Sequence, residues 1–172
     1  MRKFRLISTL TGAFIILSTC TPAQEPIEVS SFPILDTQGA QIGTLEITAL
    51  LTGGVKGQVD IKGLTPGTHA MHFHEFGACE APDFKSAGGH YNPAAVAHGH
   101  HAGDMMNINV AENGIGTFKV INDKVNLKGG TLPAFMDSDG TALIIHAGAD
   151  DYVSQPSGAA GPRVACAVIP AG

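Results

Sequence analysis

The sequence predicts an all-β protein, an antiparallel barrel or sandwich of about eight strands with two long loops. Three observations carry that reading. Short runs rich in β-branched residues alternate apolar and polar positions, as half-buried strands do. Turn residues separate them, as in Thr65-Pro66-Gly67, Glu112-Asn113-Gly114 and Asp137-Ser138-Asp139-Gly140. No stretch of the chain has a convincing amphipathic helical period.

Taken in order, the first expected strand is IEVSSFPIL, residues 27–35. QIGTLEITALL (41–51) alternates and carries β-branched residues. VKGQVDIKGL (55–64) follows the Gly53-Gly54 turn, and THAMHFHEF (68–76) is the fourth. Residues 77–103 contain few strand formers. MMNINVAENG (105–114), IGTFKVIN (115–122), TALIIHAG (141–148) and RVACAVIP (163–170) complete the set. The stretches 77–103 and 147–162 are too long to be simple connections, and loops of that length commonly carry function.

Residues 1–23 read as an export signal that precedes a single domain over 24–172. MRKFR is basic, LISTLTGAFIILS (6–18) is apolar but too short for a bilayer span, and small residues lead to cleavage after Ala23. LSTC, ending at Cys20, also resembles a bacterial lipoprotein box, with Thr19 where that motif usually has Gly, Ala or Ser. Cleavage to a soluble product, periplasmic or otherwise exported, is the primary reading. A lipid anchor at Cys20 is the alternative, and it is the only membrane attachment the sequence offers. Without the leader, 7 basic residues face 15 acidic ones, a net charge of −8. A chain so acidic, with no basic cluster, is not expected to bind nucleic acid or anionic membrane surfaces.

Loss of Cys20 leaves Cys79 and Cys166. In an oxidising compartment two remaining cysteines are expected to pair. The closed loop of roughly 88 residues would stabilise the fold by about 4–5 kcal/mol through chain entropy.

All eight histidines lie between His69 and His146. His72 and His74 are two apart on an expected strand, so both leave the same face and can converge on one ion. His69 is an odd number of positions away and reads as a buried structural residue. His90 stands in the long loop. AVAHGHHAGDMMN (95–107) then packs His98, His100, His101 and Asp104 together. His146 ends the apolar run Leu143-Ile144-Ile145, as a core histidine or as part of a site. Imidazole suits copper and zinc, and an added carboxylate suits zinc. Six or seven such donors would fill two sites if one donor were shared.

The segments HAMHFHEFG, GGHYNP, HAGDM, IIHAGADDY and RVACAVI stand here in the order they take in copper/zinc superoxide dismutases. The chain resembles the exported bacterial branch of that family over about residues 27–170, most densely at 67–104 and 142–169. The resemblance implies an eight-stranded Greek-key barrel whose two long loops build the site. It implies copper on His72, His74, His90 and His146, and zinc on His90, His98, His101 and Asp104, with His90 shared. Asp150 would link His72 to His98, and Arg163 would stand beside the copper channel. Cys79–Cys166 would be the family disulfide, tying the long loop to the last strand. The implied activity is disproportionation of superoxide anion to oxygen and hydrogen peroxide, in which His90 and Arg163 take part. A homodimer is compatible with the resemblance.

The chain departs from the family at one place. Only Gly99 and His100 lie between His98 and His101, where the family usually has several more residues. The zinc loop is shortened, and His100 competes with His101 as donor; HAGD aligns better with His101. Two other functions stay in view, a copper-binding module without turnover and a dismutase that holds copper alone.

Overall fold

The computed structural model describes residues 29–172. The proposed leader, Cys20 and the first two residues of the first expected strand lie outside the described residues.

Among the described residues the chain forms nine strands: β1 (Val29–Asp36), β2 (Gln41–Ala49), β3 (Val55–Lys62), β4 (Gly67–His69), β5 (Met71–His74), β6 (Ile108–Val110), β7 (Ile115–Asn122), β8 (Thr141–His146) and β9 (Arg163–Ile169). Seven form one antiparallel sheet in the order β5-β8-β9-β1-β2-β3-β7, and β4 pairs with β6. The chain runs from β4 into β5 through Ala70 and turns from β6 into β7 over Ala111–Gly114. The short pair thus links the two ends of the long sheet and curls it. β3 lies beside β7 and β5 beside β8, so the connections cross in Greek-key fashion. No helix among the described residues is long and apolar enough to cross a membrane.

The expected strands are present, with two differences. THAMHFHEF is two strands, because the Ala70 N–H bonds to the Gly148 carbonyl and leaves the ladder. The run at 105–114 keeps only Ile108–Val110 as strand.

β3 alternates buried residues with exposed or half-buried ones, as a strand with one wet face must. β5 and β8 are buried at every position. Their inner faces supply Met71, Phe73, Leu143 and Ile145 to the main core, with Phe32, Leu45 and Val59 from the opposite strands. Their outer faces are covered by the loop after β5. Phe84 and Ala87 of that loop pack on Ala142, Ile144 and Cys166 as a second, smaller core. The Cys79–Cys166 disulfide, Cα–Cα 5.8 Å, fastens the loop there. His72 and His74 leave the same covered face.

Three backbone hydrogen bonds seat the loop on β5. The Phe73 N–H donates to the Gly103 carbonyl (2.9 Å), the Gly103 N–H to the Tyr91 carbonyl (2.9 Å), and the Tyr91 N–H to the Phe73 carbonyl (2.8 Å). The ring closes only because residue 103 has no side chain. A Cβ there would strike the Phe73 carbonyl oxygen and stand 3.0 Å from the Tyr91 backbone nitrogen. Gly103 is needed for space; Gly99, at φ +92°, is needed for conformation.

Gly103→Ala is expected to destabilise the protein by about 1–3 kcal/mol. Gly129→Ala, where a Cβ meets nothing within 4 Å, should stay within about 0.5 kcal/mol. Urea midpoints of the two variants compare them directly; equal midpoints would remove the close-approach argument.

Candidate metal centre

The ring of hydrogen bonds sets the site because its members neighbour the histidines in sequence. His72 and His74 flank Phe73, His90 precedes Tyr91, and Asp104 follows Gly103. Isolated bridges pair His72 with Asp104 and His74 with His90. His146 arrives from β8, where the register breaks between Ile145 and His146.

The side chains form two groups of four, and His72, His98 and Asp150 make a smaller third. Donor atoms of His72, His74, His90 and His146 lie within 4.8 Å of one another. Those of His90, His98, His101 and Asp104 form a second group within the same distance. His90 belongs to both. The His72 and His90 rings stack with centroids 3.9 Å apart.

Hydrogen bonds fix which nitrogen of each ring is bare. The His74 Nδ1–H donates to the Gly88 carbonyl (3.0 Å) and the His146 Nδ1–H to the Gly161 carbonyl (3.0 Å). A carbonyl only accepts, so the proton sits on Nδ1 and Nε2 keeps its lone pair. Asp150 does the same for two rings at once. Its Oδ2 accepts from His72 Nε2–H (2.8 Å) and its Oδ1 from His98 Nε2–H (3.0 Å). The atoms left buried without a hydrogen-bond partner include His72 Nδ1, His74 Nε2, His90 Nε2, His98 Nδ1 and His146 Nε2. Five orphaned lone pairs in one small volume are costly unless something binds them. They suit transition-metal ions that take imidazole nitrogen.

In the second group Asp104 Oδ1 lies 2.8 Å from His90 Nδ1, 3.0 Å from His101 Nδ1 and 3.3 Å from His98 Nδ1. Its Oδ2 accepts from the N–H groups of Gly99 (2.7 Å) and His101 (3.0 Å). Burial opposes the charge on Asp104, but the His90 ring, the His101 ring and these two N–H groups together hold its pKa well below the usual carboxylate range. His101, not His100, faces Asp104. The His100 side chain is exposed, outside both groups.

Burial pushes His72 down to about 3, His74 to about 2 and His146 to about 4. The three rings are neutral at ordinary pH, as donors must be. His69, expected to be structural, is buried with its Nδ1 and Nε2 each 2.8 Å from a carbonyl, of His146 and Thr65. Arg163 donates to the carbonyls of Phe84 and Gly88, both at 2.6 Å. The Gly88 carbonyl therefore grips both Arg163 and His74. Arg163, His74, His90 and His146 line one cavity of about 270 Å³, walled also by Pro156 and Ser157. The sequence reading missed Gly88 and Gly161, whose contribution is a carbonyl that every residue type has.

The comparisons with known proteins agree with this geometry. The family model described as copper/zinc superoxide dismutase (SODC) matches residues 41–169. The chain belongs to the copper/zinc superoxide dismutase family. It is 45% identical over 139 residues to the superoxide dismutase [Cu-Zn] of Caulobacter vibrioides, covering 76% of this chain and 79% of that one. It is 38% identical over 172 residues to superoxide dismutase [Cu-Zn] 2 of Aquifex aeolicus, covering 96% and 98%. A crystal structure of a double mutant of a SOD-like protein from Bacillus subtilis superposes with a TM-score of 0.78 at 36% identity, over 83% of this chain and 97% of that one. Members of this superoxide dismutase family use copper and zinc, and the two donor groups here can hold both.

The neutral histidines give the metal-free dismutase a pH dependence of definite sign. An unfolded histidine takes up its proton near pH 6.5, while His72, His74 and His146 stay neutral in the fold down to about 3, 2 and 4. The unfolded state binds more protons, so stability is full above about pH 6.5 and falls as pH drops toward the folded values. Between pH 7.5 and 5.5 the three together should cost about 4 kcal/mol. Urea unfolding of metal-free protein at the two pH values measures this, and a flat profile would contradict three buried neutral rings.

Proposed function

We propose that this chain is an exported superoxide dismutase in which copper is held by His72 Nδ1 and by Nε2 of His74, His90 and His146. His90, His98, His101 and Asp104 would hold zinc, with His90 shared between the two groups. The observation that carries the reading is the set of buried, unpartnered imidazole nitrogens, divided between two groups that share His90. Bound copper would supply the one-electron chemistry by which one superoxide is oxidised to oxygen and another, with two protons, is reduced to hydrogen peroxide; zinc would be redox-silent.

The protein residues bind, orient and supply protons. Arg163 attracts the anion into the cavity. Its charge is local, which matters in a chain whose net charge repels anions, because a focused field still raises the on-rate. The grip of the Phe84 and Gly88 carbonyls holds the guanidinium beside the donor rings. Forming hydrogen peroxide consumes two protons, and His90 Nε2 is the buried ring atom placed to hold and release one. Asp150 keeps His72 and His98 in the tautomers that leave Nδ1 bare.

Export follows from the leader reading of residues 1–23, and the Cys79–Cys166 disulfide fits an oxidising compartment. Cleavage after Ala23 leaves Gln24 as the mature N-terminus; lipidation would leave a modified Cys20. Mass spectrometry of protein recovered from the exported fraction distinguishes the two, and an intact Met1 would contradict both.

Metal-loaded protein should remove superoxide, and His146→Ala should reduce removal to the level of free copper. Arg163→Ala should lower kcat/KM by about tenfold or more and flatten its dependence on ionic strength. Wild-type activity no greater than free copper would overturn the enzyme reading. Copper and zinc bound in near-equal amounts after purification without added zinc would exclude a copper-only enzyme.

A further inference from the structure

The shortened loop from His98 to Asp104 is tied down from outside by side chains that touch no donor atom of the site. Gln155 reaches in from the loop between β8 and β9. Its Oε1 accepts the His98 N–H at 2.9 Å, and its Nε2 donates to the His98 carbonyl at 3.3 Å. From the barrel side, Asn122 at the end of β7 donates through Nδ2 to the Ala102 carbonyl at 2.8 Å. Asn122 is buried, and its Oδ1 accepts the Lys124 N–H at 3.0 Å, so its amide works in both directions. The Lys124 ammonium donates to the carbonyls of His100 and His101, both at 3.2 Å.

We propose that Asn122 and Gln155 are positioning residues that hold the zinc loop in its ligand-ready form independently of the ion. The inference rests on the assignment of zinc to His90, His98, His101 and Asp104. Its physical basis is a count of the loop's backbone groups. The N–H groups of His98, Gly99, His100, His101 and Gly103 all donate within the protein. The carbonyls of residues 98 and 100–103 all accept from it. A loop whose backbone is bonded by protein groups does not need a metal to order it. With only two residues between His98 and His101, the chain has little freedom to adjust after an ion arrives. Orientation therefore comes from the loop's neighbours.

The test uses the full mature chain, metal-free, titrated separately with cobalt(II) and copper(II). Cobalt(II) reports the zinc group through its visible d–d absorption. Gln155→Met keeps side-chain length and loses both hydrogen bonds to His98, along with one to the Val153 carbonyl; Asn122→Ala loses the buried amide. Each should weaken cobalt(II) binding about tenfold or more, the range for partners that orient ligands, and leave copper(II) binding within about twofold. A general loss of stability would weaken both metals together, so the selective loss separates positioning from folding. Should Asn122→Ala fail to fold, the exposed Gln155→Met still decides. Amide exchange of metal-free wild type adds a readout without any ion: Gly99, His101 and Gly103 should be protected, and Gln155→Met should speed their exchange. Wild-type cobalt(II) affinity in the variants, or unprotected amides in metal-free wild type, would overturn the proposal. A wild type whose Asp104→Asn variant binds cobalt(II) unchanged would instead overturn the zinc assignment, while amide exchange would still report on the loop.

Discussion

The site depends on three backbone hydrogen bonds that close among Phe73, Tyr91 and Gly103. They join one strand residue to two points of the long loop, twelve residues apart. Backbone bonds of this kind specify no side chain, yet they fix where the neighbours must stand. Once Phe73 is in β5, with its own ring in the core, His72 and His74 are committed to the opposite face. Once Tyr91 and Gly103 bond to it, His90 and Asp104 are brought over that face. Two donor groups sharing one ring follow from the ring of bonds and the alternation of a strand. The one compositional demand is an absent side chain at 103.

That arrangement requires the outer face of β5, β8 and β9 to be dry. The second small core of Phe84, Ala87, Ala142, Ile144 and Cys166 keeps it so, and the disulfide fastens the loop at its edge. Dryness has a consequence for charge. Burial disfavours the charged form of an imidazole, and it pushes His74, His146 and even His72, despite its bond to Asp150, far down. Neutral rings are the ones that offer lone pairs. The same burial makes unpartnered nitrogens expensive, so the protein retains a cost that a bound ion relieves.

Much of this was legible in the sequence, and the rest was hidden for identifiable reasons. Strand alternation in β3 and the spacing of His72 and His74 are properties of the chain itself, and both carried through. The order of the motifs placed His90, His98, His101, Asp104 and His146 together before any contact was known. The break at Ala70 was hidden because it arises from a hydrogen bond to Gly148, far along the chain. In the connection from 123 to 140 only the Asp137–Gly140 turn was read, yet it buries Val125, Leu127 and Phe135 in the main core. Its apolar residues are too irregularly spaced to match a strand or helix period. Gly88 and Gly161 act through carbonyls, which leave no trace in residue type. Gln155, Asn122 and Lys124 are ordinary polar residues whose partners are backbone atoms, and only the fold shows what they hold.

The two halves of the centre differ in fixed charge, and that difference matches the chemistry assigned to each. The group formed by His72, His74, His90 and His146 contains no carboxylate among its donors. The other group contains Asp104, held ionised by the rings and N–H groups around it. A permanent anion suits an ion whose charge never changes. Neutral donors add no compensating charge, so in a buried group they favour the lower charge state of an ion that gains and loses an electron. The protons of His72, His74 and His146 are committed to Asp150 and to the carbonyls of Gly88 and Gly161. None of these rings can exchange a proton without giving up the bond that orients it. His90 is bound in the same way on one side, its Nδ1–H donating to Asp104 Oδ1 at 2.8 Å, while its Nε2 has no partner in the protein. The ring that joins the two groups is therefore oriented by Asp104 on one side and keeps a bare Nε2 among the donors of the other group.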